Sequence, residues 1–126
     1  MKNLKIINGH SEGNGGAICA EGTSRYLLLN CTLSNNWARG LGGAIYAQNS
    51  IKILDSTLNG NTAKIEGGAI YTRNINFYNS IITNSYSGGC GGAIYSDGPV
   101  NLENSKLLYN KADAKGKTLV AVQSVQ

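Results

Sequence analysis

Few residues in this chain could carry acid–base or metal chemistry, because it has one histidine and seven carboxylates. Glycoside hydrolysis needs two carboxylates that face each other across the substrate, and lyase chemistry commonly needs a carboxylate cluster that holds Ca²⁺. Most of the acids fall at different positions of an internal repeat, so no two form a clear pair. The sequence therefore predicts no catalytic residue, no cofactor and no metal site. The acids are Glu12, Glu21, Asp55, Glu66, Asp97, Glu103 and Asp113.

The remaining reactive side chains also predict no catalytic or metal site. His10 is the single histidine and lies near the start of the chain, where we expect an exposed loop residue rather than a general base. The three cysteines, Cys19, Cys31 and Cys90, are odd in number and lack metal-type spacing. This pattern favours small, unpaired residues over a disulfide.

A short motif organises the whole chain. GGAI occurs at 15–18, 42–45, 67–70 and 91–94, followed each time by Cys or Tyr, and its first glycines are 27, 25 and 24 residues apart. Twelve residues before each first glycine lies Asn or Asp, which we call the anchor. A fifth anchor precedes Gly116 by the same distance, where GKTLV stands in place of GGAI. The repeat thus predicts about five coils of about 25 residues, the last degenerate. The anchors are Asn3, Asn30, Asp55, Asn79 and Asn104.

Each repeat holds three short stretches with strand character, of the types VNL, STL and AIY, with apolar residues spaced by two around the anchor. Three such strands cannot bury their own apolar face, so each repeat must stack on its neighbours. Stacking builds three parallel sheets around a core of Ile, Leu and Val, and crossovers between parallel strands are right-handed. We therefore predict an all-β, right-handed parallel β-helix (solenoid) that occupies residues 1–126 as a single domain and belongs to a longer solenoid.

The polar residues of the repeat predict its corners and loops. The two glycines of GGAI suit a tight corner that recurs in register. Five residues of varying sequence precede them in each repeat (HSEGN, WARGL, TAKIE, YSGGC and KADAK), which predicts solvent-facing loops of fixed length. The position six residues after the anchor is Asn in three of five repeats, and we expect a ladder of hydrogen-bonded amides there rather than a ligand site. Its members are Gly9, Asn36, Asn61, Ser85 and Asn110.

One outward position of the repeat, the residue after GGAI, is a candidate for partner binding. If the Ile of GGAI points into the core, the next residue points outward, which stacks Tyr46, Tyr71 and Tyr95 in one column with Cys19 at its end. Stacked aromatic rings one coil apart could bind glycan rings or the apolar face of a partner. The simpler interpretation, which we favour, is that they stabilise one another, by about 0.5–1.5 kcal/mol per pair.

Composition excludes other classes of function. The net charge is +4 with a pI of about 9.0, but the 11 Lys and Arg residues are scattered and no nucleic-acid-binding module accompanies them. We therefore expect no nucleic-acid partner. No apolar run is long enough to cross a bilayer, and the N-terminus lacks the pattern of a signal peptide. We expect no membrane insertion by this segment, and any export signal would belong to a longer parent protein.

The repeat resembles the polymorphic outer-membrane protein repeats of Chlamydia-type autotransporters, which pair GGA[I/L/V] with an F-x-x-N motif, and related adhesin-like surface proteins. The second motif has its counterparts in LSNN at 33–36, LNGN at 58–61 and LLYN at 107–110, with Leu in place of Phe. The resemblance implies a passenger-type β-helix on the cell surface, in the outer membrane or secreted. It also implies that the repeats serve as a scaffold or an adhesive surface. Because the carboxylates form no clear pair, we expect a non-enzymatic adhesin that contacts a host cell or a glycan.

Two alternatives to this adhesin interpretation stay open. A carbohydrate-active β-helix would show carboxylates converging in one groove, and a purely structural spacer would bind nothing. Open solenoid ends expose strand edges and apolar core, so we also expect end-to-end self-association.

Overall fold

The structure, a computed structural model, describes residues 1–113 and 120–122, and these residues form strands and turns without a helix. In chain order the strands are β1 (Lys5–Ile7), β2 (His10–Ser11), β3 (Ile18–Ala20), β4 (Arg25–Leu29), β5 (Thr32–Ser34), β6 (Trp37–Ala38), β7 (Ile45–Leu54), β8 (Thr57–Asn59), β9 (Thr62–Ala63), β10 (Ile70–Tyr78), β11 (Ile81–Thr83), β12 (Tyr86–Ser87), β13 (Ile94–Ser96), β14 (Val100–Glu103), β15 (Lys106–Leu108), β16 (Lys111–Ala112) and β17 (Val120–Val122).

The strands stack as three parallel sheets, as the repeat predicts. The middle sheet has the order β1-β5-β8-β11-β15, and the short sheet has the order β2-β6-β9-β12-β16. The long sheet has the order β3-β7-β10-β13-β17, with β4 beside β7 and β14 beside β10. Equivalent residues of successive repeats are register partners, for example Leu33 with Leu58 and Leu58 with Ile82. The chain is a parallel β-solenoid of about four complete turns, followed by strands of a fifth.

The placement of the third sheet corrects the sequence-based assignment. The AIY and VNL stretches do not form separate sheets, because β7 and β10 each run through both of them as one bent strand. The third sheet instead comes from the five-residue segments predicted as loops, which contain the two-residue strands of the short sheet. The second residue of each of these strands is Ser or Ala and faces inward, so a small side chain lets the backbone pass close to the core. Those residues are Ser11, Ala38, Ala63, Ser87 and Ala112.

The core is the predicted apolar column. The inward residues of the middle and long sheets have less than one tenth of their surface exposed in the central coils, and the Ile of GGAI is fully buried in three copies. The buried side chains two and four residues before the anchors lie in register across β4, β7 and β10, such as Leu28 beside Ile53. The packed members include Leu33, Ile45, Ile53, Leu58, Ile70, Ile75, Phe77, Ile82 and Ile94.

Each of the four complete coils turns at three residues with positive φ, and this conformation explains the anchor. All five anchors have φ between 49° and 53°, a left-handed conformation that Asn and Asp tolerate better than other non-glycine residues. The first glycine of each GGAI has φ between 66° and 71°. A third corner, which the sequence analysis missed, lies five residues after the anchor at Asn8, Asn35, Gly60, Asn84 and Tyr109.

The second glycine of GGAI is required by close approach between coils rather than by its torsion angles. A Cβ atom on Gly43 would lie 2.1 Å from the carbonyl oxygen of Gly68 and 2.5 Å from the backbone of Thr62. The equivalent Cβ atom on Gly68 would lie 2.0 Å from the carbonyl oxygen of Gly92. Any side chain here would therefore force adjacent coils apart.

The predicted amide ladder is present and buried. Asn36 N donates to Asn61 Oδ1 at 3.0 Å, and Asn61 Nδ2 donates to the carbonyl oxygen of Leu33 at 3.0 Å. Asn110 repeats this pattern against Ser85 N and the carbonyl oxygen of Ile82. Each amide thus satisfies a donor and an acceptor of the preceding coil, which is a structural role.

A second buried ladder follows the anchors by one residue, and the sequence analysis did not anticipate it. Ser56 Oγ accepts from Cys31 N, and Ser80 Oγ accepts from Ser56 N, at 3.0 and 2.9 Å. Ser105 continues the column by accepting from Ser80 N. Cys31 occupies the serine position of its coil, so its burial reflects the repeat.

The last coil departs from the predicted spacing. Val120 pairs with Ile94, whereas the anchor distance predicts Leu119 as the partner, so one extra residue precedes this strand. Gly116 and the next three residues of the GKTLV stretch lie outside the described residues.

The interrupted amide ladder gives a first testable prediction. Ser85 Oγ is buried and has no hydrogen-bond partner within the described part of the chain. We expect Ser85→Asn to accept from Asn61 N and to donate to the carbonyl oxygen of Leu58, as its equivalents do one coil away. The free energy of unfolding should rise by about 1 kcal/mol in urea denaturation. Ser85→Ala is the control and should change it little; a destabilised Ser85→Asn would mean that this coil lacks room for the amide.

The third corner gives a second prediction. Tyr109 has a φ of 60° and is 81% exposed, so its left-handed conformation is costly and little packing compensates for it. We expect Tyr109→Asn to stabilise the fold by about 1 kcal/mol, because asparagine tolerates this region. Tyr109→Ala is the control: it also removes the ring, but alanine does not tolerate a positive φ as asparagine does. Equal unfolding free energies for the two variants would contradict the conformational explanation.

Candidate functional site

The predicted tyrosine column exists as a stacked ladder on the outer face of the long sheet. Tyr46, Tyr71 and Tyr95 are direct register partners in β7, β10 and β13. The ring centroids of Tyr46 and Tyr71 are 5.7 Å apart, and those of Tyr71 and Tyr95 are 4.9 Å apart with planes at 2°. We call these three residues the tyrosine ladder.

The backbone fixes the ladder through its inward neighbours. Ile45, Ile70 and Ile94 precede the tyrosines and are fully buried, so strand alternation directs each ring outward. Cys19 is the register partner of Tyr46 at one end, as the sequence predicts. The rings are half-buried because they cover one another.

Three carboxylates influence the tyrosine ladder, which the sequence analysis did not foresee. The Tyr71 hydroxyl donates to Asp97 Oδ2 at 3.5 Å. Burial, and after it the charge of Asp97, raises the pKa of Tyr71 to about 12. Burial, and after it Glu21, raises the pKa of Tyr46. The pKa of Glu66 is also raised, first by burial and then by the charge of Asp97.

The sequence does not reveal that these acids lie close together, because they occupy different positions of the repeat. Glu66 immediately precedes a glycine pair, whereas Asp97 follows an AIYS segment one coil later. Only the stacking of neighbouring coils brings their charges within reach of one another and of Tyr71. The result is an aromatic ridge with hydroxyl and carboxylate groups along it, suited to hydrogen bonding with hydroxylated or cationic groups.

A second exposed cluster surrounds the single histidine, which lies in β2 rather than in a loop. His10 stacks on Trp37 with ring centroids 4.4 Å apart, and its Nε2 lies 2.7 Å from Glu12 Oε2. Arg39 Nη1 donates to Glu12 Oε1 at 3.0 Å. Hydrogen bonds from His10 and then from Arg39 hold the pKa of Glu12 below its ordinary value. The carboxylate of Glu12 thus has partners within the cluster, and its contact with Arg39 joins two adjacent coils.

The cysteines and the remaining acids form no metal centre in the described residues. Cys19, Cys31 and Cys90 are free thiols, exposed, buried and half-buried respectively. Across residues 1–113 and 120–122, no group of three or more His, Cys, Asp or Glu side chains is placed to hold a metal ion. The same residues contain no helix with the length and apolarity to cross a membrane.

The raised pKa of Tyr71 gives a prediction about pH. In the unfolded chain tyrosine ionises at about pH 10, whereas folded Tyr71 holds its proton to about pH 12. The folded state therefore binds more protons in this window, and its stability must fall as the pH rises from about 10 towards 12. We expect urea denaturation to show this loss, and to show a smaller one in Tyr71→Phe, which cannot ionise. Identical pH dependence in both proteins would contradict the assignment.

Comparison with known proteins identifies the repeat. The sequence model of the Chlamydia polymorphic membrane protein repeat matches residues 30–48 and 55–73. Both segments begin at an anchor and extend past one GGAIY motif, and both contain a buried amide of the ladder, Asn36 or Asn61. No curated protein and no solved structure matches the chain. The two segments thus match the Chlamydia polymorphic membrane protein repeat, and the chain that carries them is a parallel β-solenoid.

Proposed function

We propose that this chain is a non-catalytic, surface-displayed contact module whose tyrosine ladder touches a host cell or a glycan. The observation that carries this proposal is the ladder itself: three stacked rings at one position of successive coils, bordered by carboxylates. The family of the repeat supports display at the cell surface, as part of an outer-membrane or secreted passenger.

The physical basis of such contact is rigidity. The rings are held by strands whose neighbouring residues are fully buried, so little side-chain freedom is lost when a partner binds. Tyrosine combines apolar area with a polar hydroxyl and is common at protein interfaces. The Tyr71 hydroxyl already points towards Asp97, which leaves a mixed aromatic and polar edge for a sugar or a protein surface.

Glycan cleavage is the runner-up, and one observation favours it. Glu66 and Asp97 interact across neighbouring coils beside Tyr71, and the pKa of Glu66 is raised as in a general acid. Burial, rather than a matched carboxylate, is the first cause of that rise. Contact without cleavage therefore fits the ridge better, and a spacer that binds nothing is the third possibility.

The test is a screen of glycan arrays and cultured cells with the folded protein and with a triple variant, Tyr46→Ala, Tyr71→Ala and Tyr95→Ala. We expect binding by the parent protein and its loss in the variant, with circular dichroism confirming that both stay β-folded. A triple Tyr→Phe variant keeps the stacking and removes the hydroxyls, so it separates the two contributions.

Tyr86→Ala with Tyr109→Ala serves as the matched control, because both tyrosines lie outside the tyrosine ladder. This control should bind as the parent protein does. Retained binding in the ladder variant would place the contact elsewhere, shortened glycans would favour the hydrolase, and no binding by any protein would favour the spacer.

A further inference from the structure

A groove separate from the tyrosine ladder lies on the outer face of the long sheet, where β4, β7 and β10 run side by side just before the anchors. It has a volume of 510 Å³, within the range of ligand sites. Its lining includes two cations, Arg25 and Lys52, and the apolar side chain of Leu27. It also includes three side-chain amides, those of Asn49, Asn74 and Asn76. We propose that this groove binds an acidic oligosaccharide through a carboxylate or sulfate group.

Two positively charged side chains line the groove. Arg25 and Lys52 lie on adjacent coils, since Leu27, two residues after Arg25, is the register partner of Lys52. Within residues 1–113 and 120–122 the ion pairs all involve Glu12, so neither cation has a carboxylate partner there. Lys52 Nζ lies 5.7 Å from the centre of the Tyr78 ring, and no acid lines the groove. Two exposed cations without a counter-charge attract an anion.

The amides make the site selective for a hydroxylated ligand. Asn74 and Asn76 are the register partners of Ser50 and Lys52, so polar side chains continue the groove on the next coil. Side-chain amides both donate and accept hydrogen bonds, as the hydroxyl groups of a sugar require. Leu27 is 46% exposed and offers an apolar surface beside them for the C–H face of a sugar ring.

The groove is preformed by the bend of the long sheet. The pairing of β7 with β10 shifts register between Thr72 and Asn74, which curves the sheet at this point. Asn49 Nδ2 donates to the carbonyl oxygens of Thr23 and Ser24 and holds the neighbouring connection in place. Ile51 lies in the floor and is 2% exposed, so the core fixes the base of the groove.

Other polyanions fit these contacts less well. Single-stranded nucleic acid is bound by aromatic faces on which bases stack, and the one aromatic lining residue, Tyr26, is half-buried with its hydroxyl bonded to the carbonyl oxygen of Glu21. An acidic peptide would need pockets for apolar anchors, whereas the lining is largely polar. The site goes beyond the proposed function, because the groove and the tyrosine ladder can each bind or fail to bind without the other.

The experiment is isothermal titration of the whole chain, at physiological ionic strength, with defined probes. These are a sulfated glucosamine–uronate hexasaccharide, an oligogalacturonate hexamer, neutral maltohexaose, an oligothymidylate and an oligoglutamate peptide. We expect binding of one or both acidic sugars and none of maltohexaose. The sulfated and carboxylated probes together identify which anionic group the groove prefers.

Variants locate the site. Arg25→Gln with Lys52→Gln should weaken binding of the acidic sugar by about tenfold or more, since each removes a charge-assisted hydrogen bond. Asn76→Asp, which conserves shape and adds a negative charge, should weaken it as well. Lys64→Gln with Lys106→Gln removes the same charge from the short and middle sheet sides and should have an effect of about twofold or less.

Three results would overturn the proposal. The groove variants could bind as well as the parent protein, the oligothymidylate or oligoglutamate could bind as tightly with the same loss, or no acidic sugar could bind at all. The triple tyrosine variant, titrated in parallel, should keep its affinity for the acidic sugar. This comparison separates failure at the groove from failure at the tyrosine ladder.

Discussion

Hydrogen bonding between coils is the interaction on which the rest of this structure depends. Each coil is too short to form a core alone, so its backbone groups must find partners on the coils before and after it. The strands do this in all three sheets, and the corners do it as well: Asn30 N donates to the carbonyl oxygen of Leu54, one coil away. Next to the corners, some backbone N–H groups lie outside the sheets. The buried amide and serine ladders accept hydrogen bonds from these N–H groups, as Asn61 does from Asn36 and Ser80 does from Ser56.

This constraint sets which positions are free to carry function. The anchors, the first glycine and the residue five after the anchor must adopt positive φ, and the second glycine must lack a side chain. The inward positions must be apolar, small or amide. Only the outward positions of the strands and the connections after GGAI are left, and both the tyrosine ladder and the groove are built from them.

The sequence predicted the coil and its tyrosine ladder because both follow from strict spacing. It misplaced the third sheet because strands of two residues leave almost no alternation to detect, and their one inward residue is Ser or Ala rather than a large apolar side chain. The sequence did not predict the interaction between Glu66 and Asp97, nor the groove that Arg25 and Lys52 line, for another reason. Those groups occupy different positions of different coils, so their distances depend on the bend and the register shift near Thr72.

The same constraint explains why both proposed binding surfaces lie on the long sheet. Its strands β7 and β10 span ten and nine residues, whereas those of the short sheet span two. A longer strand presents several outward positions per coil, and stacking repeats each of them at a spacing of roughly 4.8 Å. On one side of the bend these positions carry tyrosines beside carboxylates, and on the other they carry cations and amides. One sheet thus presents two surfaces of opposite charge, each built from outward positions of the same strands.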